Sequence, residues 1–170
     1  LELFCDIGIG GGTLKTMMAY ERSGNPRPRI QEIENKGLIN AMGLPGVGID
    51  KMADNLKKSR LISLNRPIGL SIGGESISEY KDSFLRYYQQ CDHLVFPKYY
   101  EVNISCPNIK EGHDLSKELD LCNDLILFMR NHTDNVISIK LSPMQENNIL
   151  KESAAMISQH QKMVINVGNT

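Results

Sequence analysis

Five short segments of this chain are dense in Ile, Val and Leu: Phe4–Ile9, Arg66–Ile72, Tyr99–Ser105, Val136–Leu141 and Met163–Val167. They are too apolar for strands with one face in water, and predict strands of a covered parallel sheet. Between them the period lengthens to that of a helix. Ser76–Gln90 puts Ile77, Tyr80, Phe84 and Tyr87 on one face, with Ser76 and Glu79 at capping-box spacing. Asp114–Arg130 repeats the pattern with Leu115, Leu119, Cys122, Ile126 and Met129. Gln145–His160 and Val47–Lys58 predict two more helices. Strand alternating with helix predicts βα units in a parallel sheet. Residues 11–46 break the rhythm, being rich in Gly, Pro and Arg without periodicity. A loop that long in a compact domain usually carries function.

Composition narrows the picture. The 170 residues can bury a core as a single domain, 1–170, and 41% hydrophobic with 23% charged residues is an ordinary soluble balance. A net charge of −1 gives nucleic acid or an anionic membrane little to hold. No apolar run approaches the ~20 residues of a membrane span. Leu1–Asp6 lacks the basic region and cleavage site of a signal peptide. Cys5, Cys91, Cys106 and Cys122 have no CxxC spacing, which argues against zinc or iron–sulfur ligation and for reduced thiols in the cytoplasm. His93, His113, His132 and His160 have no metal spacing either. Arg22, Arg27 and Arg29 lack interleaved aromatics and read as a solvated loop holding an ion pair.

Chemistry concentrates in Glu101-Val-Asn-Ile-Ser-Cys-Pro-Asn108, a strand running into a polar loop with a cysteine between two asparagines. Catalytic groups in α/β folds sit at the C-terminal ends of parallel strands. Asparagine both donates and accepts, so two can grip a planar, amide-rich ligand. Lys140 lies inside the apolar run Val136–Leu141, where an unpaired ammonium is costly and a functional role is favoured.

This stretch resembles the signature loop of dihydroorotate dehydrogenases in their cysteine form. Gly12-Thr-Leu-Lys15-Thr16, Gly24-Asn-Pro-Arg-Pro-Arg29, Gly37-Leu-Ile-Asn40-Ala-Met-Gly-Leu-Pro-Gly-Val-Gly-Ile-Asp50, Lys140 and Gly168-Asn-Thr170 are similar to the same family in the same order. The resemblance implies a (β/α)8 TIM barrel, with about five of its eight βα units in this chain. On that alignment the chain begins after the first strand and stops near the sixth. The segment alone, its end strands lacking partners, is then expected to be poorly stable.

The resemblance also implies FMN as cofactor and oxidation of dihydroorotate to orotate in pyrimidine synthesis. Cys106 would be the base that takes the C5 proton, with a rate rising with pH because a thiol titrates near ~8.5. Asn40, Met42, Gly43, Leu44, Asn103, Asn108 and Asn169 would contact substrate, Asn166 being the alternative to Asn169. Lys15, Thr16, Asn103 and Lys140 would contact the flavin, and Gly10-Gly-Gly12 would let it approach closely. A homodimer is implied, with fumarate, or NAD through a partner subunit, as electron acceptor. Cysteine at 106 argues against the membrane-bound, quinone-using branch. The rivals are another FMN barrel, such as a dihydropyrimidine dehydrogenase domain, which usually has histidine where Asn108 stands, and a truncated, non-catalytic barrel.

Overall fold

A computed structural model describes residues 1–34, 37–104 and 119–168. Its centre is a five-stranded parallel sheet. The chain enters through a short helix, α1 (Glu2–Asp6), and a two-residue strand, β1 (Gly12–Thr13). Residues 14–47 carry two further strand pairings: β2 (Glu21–Arg22) with β5 (Gly46–Val47), and a hairpin of β3 (Ile30–Ile33) and β4 (Gly37–Asn40). The regular part follows: α2 (Ile49–Lys58), β6 (Ile68–Ile72), α3 (Ile77–Cys91), β7 (Lys98–Asn103), α4 (Leu119–Arg130), β8 (Val136–Leu141), α5 (Asn147–Ile157) and β9 (Met163–Val167). The sheet order is β1-β6-β7-β8-β9, so each successive βα unit adds the next strand alongside the last.

The strands alternate more than their composition suggests. Leu70, Ile72, Tyr100, Val102, Ile137, Ile139 and Leu141 face the helices and are fully buried. Tyr80, Phe84 and Tyr87 of α3 and Leu125, Ile126 and Met129 of α4 cover them. Burying each such side chain contributes roughly 1.5–3 kcal/mol. Phe84 anchors this layer edge-on to Tyr100, with ring centroids 5.0 Å apart. The opposite face carries Gly69, Ser71, Tyr99, Glu101, Asn103, Ser138, Lys140 and Asn166, which the register sets in rows across the sheet. This polar face is the interior of a βα barrel arc.

The capping residues behave as their spacing predicts, with one displacement. The Ser76 hydroxyl accepts from the Glu79 amide, while the Glu79 carboxylate reaches back to the amide of Glu75, one residue before the cap. The Phe4–Ile9 strand does not form. Its first half, Phe4–Asp6, belongs to the helix α1 and the rest is turn, with Phe4 and Ile7 exposed, and only Cys5 enters the core. Ser59 and Arg60 hold Glu2 and Asp6 by hydrogen bonds and ion pairs, so the segment is fixed by its polar side chains. The first strand comes later, at Gly12–Thr13, where backbone pairing to Ile68 and Gly69 is available.

Candidate active site

The C-terminal edge of the sheet assembles most of the candidate residues. Asn103 ends β7, and its register partner on β8 is Lys140, whose partner on β9 is Asn166. Strand spacing of about 4.8 Å sets the backbones of the two asparagines roughly 10 Å apart, with the lysine between them. The strand period of two puts all three side chains on the polar face. The Lys140 side chain is half-buried, and among the described residues its ammonium has no hydrogen-bond or ion-pair partner. Such a group suits an anionic or electron-rich ligand in front of the row.

Thr16 joins this row because residues 14–17 run along β6. The Leu14 amide donates to Gly69, the Met17 amide to Ser71, and the Gly73 amide back to Met17. The Thr16 hydroxyl then lies 2.9 Å from the Ser71 hydroxyl, and Asn103 donates to Thr16 at 2.9 Å. Lys15 is exposed, and its ammonium donates to the Pro45 carbonyl.

Residues 40–45 form a braced loop over the end of β6. Gly43 and Leu44 have φ of 69° and 50°. A β-carbon on Gly43 would lie 2.5 Å from the Asn25 side chain, so glycine is required there. Arg22 donates to the Gly43 carbonyl at 2.9 Å and pairs with Glu75, while Asn25 holds the Ala41 and Met42 carbonyls. A β-carbon on Gly73, just past the C-terminal end of β6, would lie 3.4 Å from the Leu44 side chain. Asn40 is exposed, and its side chain accepts from the Met42 amide at 3.4 Å, a turn role. Among the described residues no hydrogen bond links it to Asn103, Lys140 or Asn166.

Cys106, Asn108 and Asn169 lie outside the described residues. The three described cysteines are all buried. Burial pushes the Cys91 and Cys122 thiols up to about 11, which marks them as packing groups. His132 sits against Phe84, Tyr88 and Phe128, and His160 lies 2.7 Å from the Asn123 side-chain oxygen. Gly10-Gly-Gly12 is not near the row. A β-carbon on Gly11 would strike the Pro67 carbonyl and one on Gly12 the Leu1 side chain, at the N-terminal end of the sheet. Close packing explains those two glycines, and Gly10 faces open space. A cavity of about 570 Å³ runs from that end up to the row, lined by Pro67, Pro97, Tyr99, Glu101, Ser138 and Asn166 among others.

Two buried groups escaped the sequence reading, Ser71 and Glu101 on the polar face. Asn166, expected as the alternative to Asn169, is exposed and shares the row of Asn103 and Lys140. The available signal was a lone polar residue in an apolar run, Ser71 in Ile68–Ile72, and the two-residue spacing of Glu101 to Asn103.

A parallel βα array with its polar residues at the C-terminal strand ends defines part of a βα barrel. The dihydroorotate dehydrogenase family model matches residues 2–170, and the chain belongs to that family. It is 31% identical over 140 residues to the dihydroorotate dehydrogenase B (NAD(+)) catalytic subunit of Oceanobacillus iheyensis, covering 82% of this chain and 44% of that protein. The subunit of the same name from Citrifermentans bemidjiense is 32% identical over 155 residues, covering 91% and 48%. A dihydroorotate dehydrogenase (quinone) of Clavibacter sepedonicus is 33% identical over 141 residues, covering 81% and 40%. The chain thus spans less than half the length of these relatives.

Proposed function

We propose that the protein carrying this chain oxidises dihydroorotate to orotate with FMN bound at the C-terminal edge of the sheet. The observation that carries the reading is the Asn103–Lys140–Asn166 row, in which a lysine with no partner among the described residues stands between two amides. The donor set suits a flavin: Lys140 and Lys15 supply cations for the electron-rich end of the ring, and Thr16 and Asn103 supply hydrogen-bonding groups. When bound, the flavin supplies the hydride acceptor.

The residues of this chain do the rest. Asn103, Asn108 and Asn166 donate to and accept from the carboxylate and pyrimidine edge of the substrate, fixing C6 toward the flavin. Asn166, which faces the same side as Asn103, and Asn169 are the alternatives for the last of these contacts. Met42, Gly43 and Leu44 close over the ring and exclude water. Asn40 shapes that loop. The Cys106 thiolate takes the C5 proton as the C6 hydride leaves, and the new C5–C6 double bond gives orotate. Electrons then pass to NAD through a partner subunit, in line with the names of the NAD-linked relatives. Among the described residues no helix is long and apolar enough to cross a membrane, and a cytoplasmic enzyme, assembled as a homodimer, accords with this reading.

The test is anaerobic stopped-flow reduction of bound flavin in the intact protein. Cys106→Ala should lose several orders of magnitude in the rate of reduction by dihydroorotate while still binding orotate. Cys106→Ser should retain activity shifted to higher pH, because a hydroxyl is harder to ionise than a thiol. Reduction of the alanine variant at the wild-type rate would remove Cys106 from the mechanism.

A further inference from the structure

Glu101 has no part in the chemistry above, yet it is a carboxylate only 5% exposed on the inner face of the sheet. Among the described residues no cation lies within ion-pair range of it. Burying an unpaired carboxylate is expensive unless hydrogen bonds compensate. The compensation here comes from both sides. Asn166 donates to one oxygen at 3.0 Å and the Ser71 hydroxyl donates to the other at 3.2 Å. The bond from β9 to β7 crosses β8 diagonally, from the level of Lys140, the register partner of Asn166, to the level of Ser138, the register partner of Glu101.

Counting protons fixes the direction of every link. A carboxylate can only accept. Ser71 has one hydroxyl proton and gives it to Glu101. The Ser71 oxygen, 2.9 Å from Thr16, must therefore accept from the Thr16 hydroxyl. Thr16, having spent its proton, accepts from the Asn103 amide nitrogen at 2.9 Å. Both branches run downhill to one carboxylate: Asn103 through Thr16 and Ser71, and Asn166 directly.

We propose that Glu101 is a positioning residue that sets which way round the side-chain amides of Asn103 and Asn166 face. Each amide turns its nitrogen toward the carboxylate, and the orientation of its carbonyl oxygen follows. The two asparagines therefore offer a fixed pattern of donors and acceptors to a planar ring bearing imide and amide edges. Without the carboxylate either amide can flip by exchanging oxygen and nitrogen, at the expense of complementarity. This rests on the proposed function, since it takes the row to be the substrate grip.

The experiment measures orotate binding to the intact, flavin-loaded protein from the perturbation of the flavin spectrum. Glu101→Gln has the same size but can donate as well as accept, so it no longer dictates the chain. It should bind orotate roughly tenfold to a hundredfold more weakly, with flavin content and unfolding temperature near wild type. Adding Glu101→Gln to Asn166→Ala should cost less than in the wild-type background, because only the branch through Ser71 and Thr16 to Asn103 is then left to lose. A merely structural carboxylate would lower stability and flavin content and leave the dissociation constant of the folded fraction unchanged; that result overturns the proposal. Ser71→Ala cuts the Asn103 branch without touching a charge and should weaken orotate severalfold, which keeps the test decisive if Glu101→Gln folds poorly. Wild-type protein that binds neither flavin nor orotate would defeat the proposed function, and this inference with it. Normal wild-type binding with unchanged affinity in both variants would defeat this inference alone.

Discussion

Replacing Lys140 by methionine removes one charge from the middle of the polar row and keeps the length and apolar stem of the side chain. Two opposite unit charges in contact attract by about 1 kcal/mol in water and about 4 kcal/mol at the effective dielectric of a partly buried site. Lys140 is half-buried, so about 2 kcal/mol is the appropriate scale for its attraction to a reduced, anionic flavin. For a two-electron couple, 30 mV corresponds to about 1.4 kcal/mol. The flavin midpoint potential in Lys140→Met should therefore fall by about 40 mV, because the reduced form loses its counter-charge. Dye-equilibrated reductive titration of the intact protein at pH 8 reads this directly. Flavin reduction by dihydroorotate should slow in parallel. A potential within 10 mV of wild type, or displaced upward, would show that the ammonium does not face the flavin.

Two further outcomes concern the scaffold. Arg130 donates to the carbonyls of Thr133, Asn135 and Gln161 at 2.8–3.0 Å, tying the loops that lead into β8 and β9. Two of these bonds are partly buried, so Arg130→Met should cost about 3 kcal/mol in urea unfolding, and Arg130→Lys should recover less than half because it lacks the planar fork; a loss under 1 kcal/mol would mean that water replaces them. The thiols of Cys91 and Cys122, raised by burial to about 11, hold only about one thiolate in a thousand at pH 8. Peptide mapping after brief iodoacetamide treatment should find both unmodified and Cys106 labelled, with orotate protecting it; rapid labelling of Cys91 would refute the burial. These two thiols ionise first in the unfolded state, so they stabilise the fold below about pH 9, and that contribution is lost as pH rises toward about 11.

Local pattern was enough for the regular half of the molecule. The strands at Val136–Leu141 and Met163–Val167 begin and end where their apolar runs do, and α3 starts at the residue after its Ser76 cap. Those elements are short-range: a period of two or 3.6 and a cap declare them. Phe4–Ile9 shows the limit, because a short apolar run is equally a helix, and strand formation depends on a distant backbone to pair with. The hairpin at 30–40 was missed for the converse reason: its residues are exposed on both strands, so burial leaves no periodic trace.

The candidate site divides in the same way. Asn103 and Lys140 were legible because polar residues are anomalous inside apolar strands. Register is a property of two strands at once, and one residue of slip would turn every side chain to the other face. Only the tertiary structure therefore put Asn166 level with Lys140 and brought Thr16 to Ser71 across 55 positions of chain. The buried Glu101 network has the same origin: its hydrogen bonds join residues 16, 71, 101, 103 and 166, and every one of them crosses from one strand or segment to another.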